Sequence, residues 1–506
     1  MADEAPPTEK KTSSIDDVIE SCIGSTGICQ LLQAMLVVLA WVFDAQQTFA
    51  NVFTDANPSW HCTNKNDSSC LSAKSPCGLP RGSWSWNEPK HASIISEWSL
   101  QCSPPIIVGL PASAFYFGCL VGGLVLATAD SRLGRKTMLV ISCLVMSLAA
   151  GLAALSPNVW VYSVLRFFCG VARATVGTSA LVLSTEMVGK KYRDRISVMS
   201  FIFYSLGFLS LPGIAYLNRG LSWGNIYLWT SVPCFCYAIL VYFLTCESPR
   251  WLFVRGRKDE AISTLKRIAK SKGHIINVDF SNLSIPEEKF SVGMLSALNT
   301  LCKKRWAFKR LTMVMTVGFG VGSVYYGMPL NVGNLGTNLY LSVAYNALAE
   351  LPSSLFFFFF MDRISRRYTT LVLTLLSGVA SILCVFLTAR GWQLAMEVLS
   401  FCTAVSVFNV LMIYTMELFP TSVRNSAVSL VRQALVLGGV FAPYIVAEGR
   451  KWRFLSFGVF GLAVGCCGMF AAFLPETRGS GMRDTIEEEE CYEQIASFDI
   501  NPRVCQ

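Results

Sequence analysis

Charge is what this sequence has least of: aspartate, glutamate, lysine and arginine make up 15% of its 506 residues, against 53% for hydrophobic side chains. A soluble domain usually carries roughly 25% charged residues on its surface. The chain is too apolar for that, so a bilayer is its expected solvent. Histidine is nearly missing. The three present, His61, His91 and His274, lie in loops without metal-ligand spacing, so no hydrolytic metal centre, resident metal or cofactor is expected. No glycine-rich loop ends in Gly-Lys-Ser or Gly-Lys-Thr, which leaves direct drive by nucleotide hydrolysis unsupported. The first thirty residues lack the unbroken apolar core of a secretory leader, so the amino terminus is expected to stay in the cytosol.

What is there in quantity is long apolar runs. Six fall within residues 31–246 and six more within 311–474, each of about the twenty residues a helix needs to cross the hydrocarbon core. The expected organisation is a cytosolic segment 1–30, a six-helix bundle 31–246 with an outer loop 54–104, and a cytosolic linker 247–310. A second six-helix bundle 311–474 and an acidic cytosolic tail 475–506 follow. The net charge of +9 sits in short clusters between spans, as topology demands, and not along one polar face that would bind nucleic acid. The basic loops at Arg132, Arg135 and Lys136, at Lys190–Arg195, and at Arg363, Arg366 and Arg367 therefore face the cytosol together with the linker. Arg450, Lys451 and Arg453 break the rule by falling on the outer side.

Most of the nineteen cysteines lie inside apolar runs, but Cys62, Cys70, Cys77 and Cys102 share the outer loop with the acceptor triplet Asn66-Asp67-Ser68. Two disulfides, of undecided pairing, and a glycan on Asn66 are expected there. In the linker, Ala261, Ile262, Leu265 and Ile268 recur at helical spacing among lysines, which predicts an amphipathic helix lying along the cytosolic bilayer surface.

Three charge motifs occur twice. DSRLGRK begins at Asp130 and DRISRR at Asp362; Glu186 and Arg193 are spaced like Glu417 and Arg424; Glu247 and Arg250 close the first set of spans as Glu476 and Arg478 close the second. All recur at an offset of roughly 230 residues, the signature of a duplicated six-helix unit. Two such halves can rock about a site between them, with the paired carboxylates and guanidinia at the inner helix ends acting as a latch between halves in one state. Asp130, Arg135, Glu186, Arg193, Glu247, Arg250, Asp362, Arg366, Glu417, Arg424, Glu476 and Arg478 are the expected gating residues.

DSRLGRK and DRISRR resemble the loop signature of the major facilitator superfamily, and Arg166, Phe167 and Gly170 resemble its fourth-helix motif, which adds Arg166 to the gating set. CESPRWL at 246–252, ELFPTSVRN at 417–425 and PETRG at 475–479 together resemble the organic ion transporter branch, and residues 41–60 resemble the plant organic cation/carnitine transporters. The resemblance implies an all-α integral membrane fold of twelve helices in two pseudosymmetric bundles. It also implies a gradient-driven carrier, not an enzyme, whose substrate is a small organic cation or carnitine, with a proton as suspected co-substrate. Such a carrier is expected to act as a monomer in the plasma membrane or the vacuolar membrane.

Mid-span charges mark the expected site, since each is costly in lipid. Asp44 lies in the first span and Glu350 in the eighth, the latter matching the acidic position of the cation branch. Tyr204, Tyr325 and Tyr326 offer ring faces to a quaternary ammonium, and Arg432 with Gln433 enters the eleventh span, where a carboxylate could be held. The chain departs from cation carriers at Val436, where they place an aspartate. A sugar or organic anion carrier on the same fold is the competing reading, although the paired glutamines of sugar carriers are missing from the seventh span. A receptor without transport is the alternative of another class.

Overall fold

The computed structural model describes residues 28–270, 294–360, 363–479 and 486–490, apart from positions 65, 67, 74, 81, 451 and 453. Most of them fall in long helices: α1 (Gln30–Thr54), α2 (Pro105–Leu133), α3 (Arg135–Ala153), α4 (Val159–Glu186), α5 (Lys190–Leu217) and α6 (Gly224–Leu244). The second set is α7 (Arg305–Asn331), α8 (Leu339–Phe360), α9 (Arg366–Phe386), α10 (Arg390–Leu418), α11 (Thr421–Gly449) and α12 (Phe454–Phe473). Eleven of these are long and apolar enough to cross a membrane, and α8, 22 residues with Glu350 as its one charged side chain, completes the twelve. Their outward sides are studded with exposed Leu, Ile, Val and Phe, including Phe356, Phe359 and Phe360, as lipid contact allows.

The duplication read from the motifs is also a duplication of packing. In the first six helices α1 packs on α4, α5 and α6, α2 on α4, and α3 on α4 and α6; adding six to every label gives the packing of α7 to α12. The halves meet through α2 against α11 and α5 against α8, two contacts that the same shift interchanges. Lipid offers no hydrophobic drive for helix association, so close backbone approach has to supply it. A Cβ on Gly118 of α2 would fall 2.1 Å from the Phe167 carbonyl oxygen of α4, and one on Gly170 would fall 2.0 Å from that of Phe115.

The repeated acidic motifs resolve into two matching helix caps. Beyond the end of α6, Glu247 accepts hydrogen bonds from the first-turn amides of α3, Lys136 at 2.9 Å and Thr137 at 3.4 Å. Past α12, Glu476 does the same for α9, taking the amides of Arg366 at 3.0 Å and Arg367 at 3.3 Å and the Ser365 hydroxyl. A carboxylate at these sites answers both the orphan amides and the positive end of the helix dipole. The tight entry to α3 passes through Gly134 at φ 92°, where an added Cβ would also meet the Glu247 carboxylate at 2.5 Å.

In the outer loop Cys62 pairs with Cys70 and Cys77 with Cys102, and β1 (Trp60–Cys62) lies antiparallel to β2 (Trp84–Trp86). Asn66 is exposed on the same loop. The linker departs from expectation. Helix Lys258–Lys270 forms, but Ala261 and Leu265 are buried against Leu252 and Phe253 of the short helix Pro249–Val254, so this part of its apolar face is covered by protein and not by the bilayer. The Ile268 side chain lies outside the described residues, as do residues 1–27 and most of the tail.

Glu247→Ala should lower the thermal stability of the detergent-purified protein by about 1 kcal/mol, the usual worth of a cap. Burial alone would raise the Glu476 pKa, but bonds from Ser365 and the amides of Arg478, Arg366 and Arg367 outweigh it and hold the carboxyl below the usual range. Its contribution is therefore present at neutral pH and lost as pH falls through that lowered value. The gap in melting temperature between the wild type and Glu476→Gln should close on acidification, and a gap that widens would contradict the cap.

Candidate functional site

Between the halves, at mid-depth, α1, α2, α5, α7 and α10 turn aromatic side chains towards one another, and α8 adds Glu350. Tyr325 is the centre of this layer. Its ring stacks on Phe401 and Phe408 with centroids 5.7 and 5.3 Å away and meets Tyr326 edge-on at 4.9 Å; Phe49 of the opposite half stands 6.0 Å off. Tyr326 meets Tyr116 at 4.7 Å, while Tyr204 lies 6.0 Å from Trp41. Tyr204 and Tyr325 belong to different halves, and their hydroxyls are 3.2 Å apart.

The Tyr325 hydroxyl also donates to Glu350 Oε1 at 3.1 Å. Glu350 is 5% exposed, its Oε2 has no hydrogen-bond partner, and no cationic side chain pairs with it among the described residues. Asp44 stands differently: Arg173 Nε approaches Asp44 Oδ1 at 2.6 Å, so that carboxylate is already answered by a guanidinium of its own half. Arg432 and Gln433 lie partly buried on α11, and Arg432 is close enough to Tyr326 to act on its hydroxyl. Gln433 reaches across to Gly123 of α2, where a Cβ would fall 1.9 Å from its amide nitrogen, and its Oε1 is unpartnered. Thus Tyr204, Tyr325, Tyr326 and Glu350 come together, Arg432 stands near Tyr326, Gln433 faces Gly123 of α2, and Asp44 is taken up by Arg173.

The expected gating residues sort by half. Arg366 binds Glu417 through Nη2 at 2.9 Å, and Thr477 donates to Glu417 at 2.5 Å, all within the second half. In the first half Glu186 takes a hydrogen bond from Ser248, with Arg135 and Arg250 near enough to act on its charge. Arg424 donates to the Phe419 carbonyl, and Arg478 gives its amide to Glu476. Arg193 makes no ion pair among the described residues. The Asp130 side chain and Asp362 lie outside them. The bonds named here join helices of one half to each other.

Arg166 also departs from expectation, since it lies towards the outer end of α4. Fully buried, it donates to the Gln47 carbonyl at 2.9 Å and to Asn51, with its guanidinium 4.2 Å from the Phe115 ring centre. That arrangement fastens α4 to the outer end of α1. Contacts between halves cluster on this outer side: Phe53 stacks on Tyr340 at 5.8 Å, a Cβ on Gly109 would touch the Pro443 backbone at 3.0 Å, and Arg450 donates to the Asp55 carbonyl at 3.1 Å. Arg450, the exception to the charge rule, is therefore a residue that crosses the seam. Burial there pulls its pKa down to about 10 and pushes the Asp55 carboxyl up.

Sequence reasoning did not single out Tyr116, Phe401, Phe408 or Trp41. Only the pairing of helices distinguishes them from other aromatics. Glu397, a mid-span carboxylate on α10, was also missed, although its charge in an apolar run was a sufficient signal.

The Major Facilitator Superfamily model matches residues 92–443. Organic cation/carnitine transporter 2 of Arabidopsis thaliana is 53% identical, covering 99% of each chain, and organic cation/carnitine transporter 3 of the same plant is 52% identical over 96% of this chain and 94% of its own. Among solved structures, the proton:xylose symporter XylE bound to 6-bromo-6-deoxy-D-glucose superposes with a TM-score of 0.59 at 17% identity, over 92% of this chain and 98% of that one.

Because a buried charge stripped of its partner costs roughly 3–5 kcal/mol, Arg173→Met should sharply reduce the yield of monodisperse protein. Adding Asp44→Asn should recover it, measured by size-exclusion of the fluorescently tagged chain. If the double variant is no better than the single one, the pair is not what holds α1 and α4 together at this depth.

Proposed function

Since this chain belongs to the major facilitator superfamily and to its organic cation/carnitine transporter branch, and is a membrane transporter rather than an enzyme, we propose that it moves a small organic cation or carnitine by alternating access. One observation carries the reading: Glu350 is a buried carboxylate with no cationic partner among the described residues, bonded to the Tyr325 hydroxyl in the layer between the halves. A carboxylate so placed is costly until something positive joins it. A quaternary ammonium group meets that need twice, through charge and through attraction to the tyrosine faces worth about 0.5 to 2 kcal/mol.

Carnitine would use both ends of the site. Arg432 makes no ion pair among the described residues and is near enough to Tyr326 to act on its hydroxyl, while Glu350 is bonded to Tyr325, so a zwitterion lying along the tyrosine pair would meet a charge of each sign. In the transport cycle the contacts at Phe53, Gly109 and Arg450 part to open the outer side while each half, tied by its own charge cluster, moves as a unit. Gradient energy drives the movement, with a proton as coupling ion. The carrier acts as a monomer in the plasma or vacuolar membrane, with a glycan on Asn66.

In proteoliposomes, Glu350→Gln should cut uptake of tetraethylammonium and carnitine by roughly 30-fold or more, the effect of losing about 2 kcal/mol or more of buried charge pairing. Uptake at the wild-type rate would remove Glu350 from the site. Arg432→Gln should impair carnitine uptake selectively and spare tetraethylammonium, which has no carboxylate; equal loss of both would assign Arg432 to the fold instead. Including sugars and organic anions in the panel tests the substrate class itself.

A further inference from the structure

A second carboxylate lies outside the central layer. Glu397 sits two turns in from the outer end of α10, fully buried, and among the described residues no cationic side chain pairs with it. It faces Asn346 of α8, also fully buried, whose Nδ2 donates to Glu397 Oε1 at 2.9 Å. The other two atoms of this pair, Glu397 Oε2 and Asn346 Oδ1, have no hydrogen-bond partner. Both are acceptors as long as the carboxyl is ionised, so neither can satisfy the other, and two buried acceptors left bare are costly.

One proton on Oε2 changes the count. A carboxylic acid facing a primary amide forms a two-bond pair, with the amide N–H donating to the carbonyl oxygen and the acid O–H donating to the amide oxygen. The first of those bonds is present. The second would satisfy both bare acceptors at once, with no other group required. We propose that Glu397 is a proton-carrying site, held in its acid form by Asn346 while the outer side is shut, and that release of this proton is coupled to movement of substrate. The proposal rests on the transport reading above and supplies its coupling ion.

The surroundings suit a group that changes its proton once per cycle. Cys384 of α9 is the titratable neighbour, near enough to feel the Glu397 charge, and Gln393, one turn outward on α10, directs its amide to the Cys384 and Leu387 carbonyls. Along α8, Asn346 precedes Glu350 by one turn, so the amide that binds Glu397 lies on the same helix face as the carboxylate proposed to meet the cation. Towards α7, Glu350 is bonded to Tyr325. A tilt of α8 against α10 as the halves rock would part Asn346 from Glu397 and alter the setting of Glu350 in one motion. The proton then leaves from Glu397 Oε2 to water, and the carboxylate left behind is the form that rebinds a proton when the pair closes again.

Glutamine at position 397 mimics the protonated acid in shape and cannot lose a proton, so Glu397→Gln should fold. In proteoliposomes it should keep tetraethylammonium counterflow within about twofold of wild type while losing accumulation driven by an imposed pH gradient. Undiminished gradient-driven accumulation would overturn the proposal, as would loss of counterflow in a correctly folded variant. A readout that needs no substrate keeps this test separate from the substrate assignment: infrared difference spectra of the purified wild type should contain a protonated-carboxyl band that Glu397→Gln lacks. If no band is lost, Glu397 carries no proton, whatever the chain transports. An imposed sodium gradient should drive no accumulation in wild type; if it does, the cation taken up is not the proton.

Discussion

A charge inside the hydrocarbon layer must be answered by an opposite charge, by hydrogen bonds or by a ligand, because lipid answers none of it. The depth at which each ionisable side chain lies in this protein follows from that constraint. Arg173 answers Asp44 within the first half, and Arg166 is held by carbonyl and amide oxygens with aromatic rings around it. These charges are spent on holding helices together. Glu350 and Glu397 are the two carboxylates within the spans of the second half that keep a bare oxygen among the described residues. The asymmetry is one of pairing: in the first half Asp44 has a guanidinium beside it, and in the second these two carboxylates have none among the described residues.

The two caps show how the same constraint shapes the inner face. Glu247 and Glu476 each return from the far end of a six-helix set to the start of that set's third helix. A carboxylate supplied from a distant stretch of chain closes each bundle on itself. Motion is then cheapest at the seam between bundles, where small residues such as Gly109 and Gly123 meet the opposing helix.

Much of this could be read before any coordinates. Span number, duplication and the choice of Glu350 as a candidate followed from hydropathy, motif spacing and the cost of charge in lipid, which are local properties of the chain. What stayed hidden depends on partners far apart in sequence. Arg173, the partner of Asp44, lies on another helix, and sequence order gives no hint that Glu247 and Glu476 would each meet the start of the third helix of their own half. The amphipathic linker was misjudged for a similar reason: apolar periodicity says that a face will be covered, and Leu252 and Phe253, not lipid, cover Ala261 and Leu265. Arg450 violated a statistical rule of topology because it serves a tertiary contact with the Asp55 carbonyl.

The stapled outer loop carries a further implication. Past Asp55, whose carbonyl takes the bond from Arg450, its stapled part is tied among the described residues to the end of α1 and the entry to α6: Ser93 donates to the Thr54 carbonyl, and Trp223 donates to the His91 carbonyl and to Glu97. The loop is thus rigidly mounted on one bundle and must travel with it. A binder or fluorophore fixed to this cap would act as a pointer on a dial, turning the angular excursion of a hidden hinge into a displacement readable from the water.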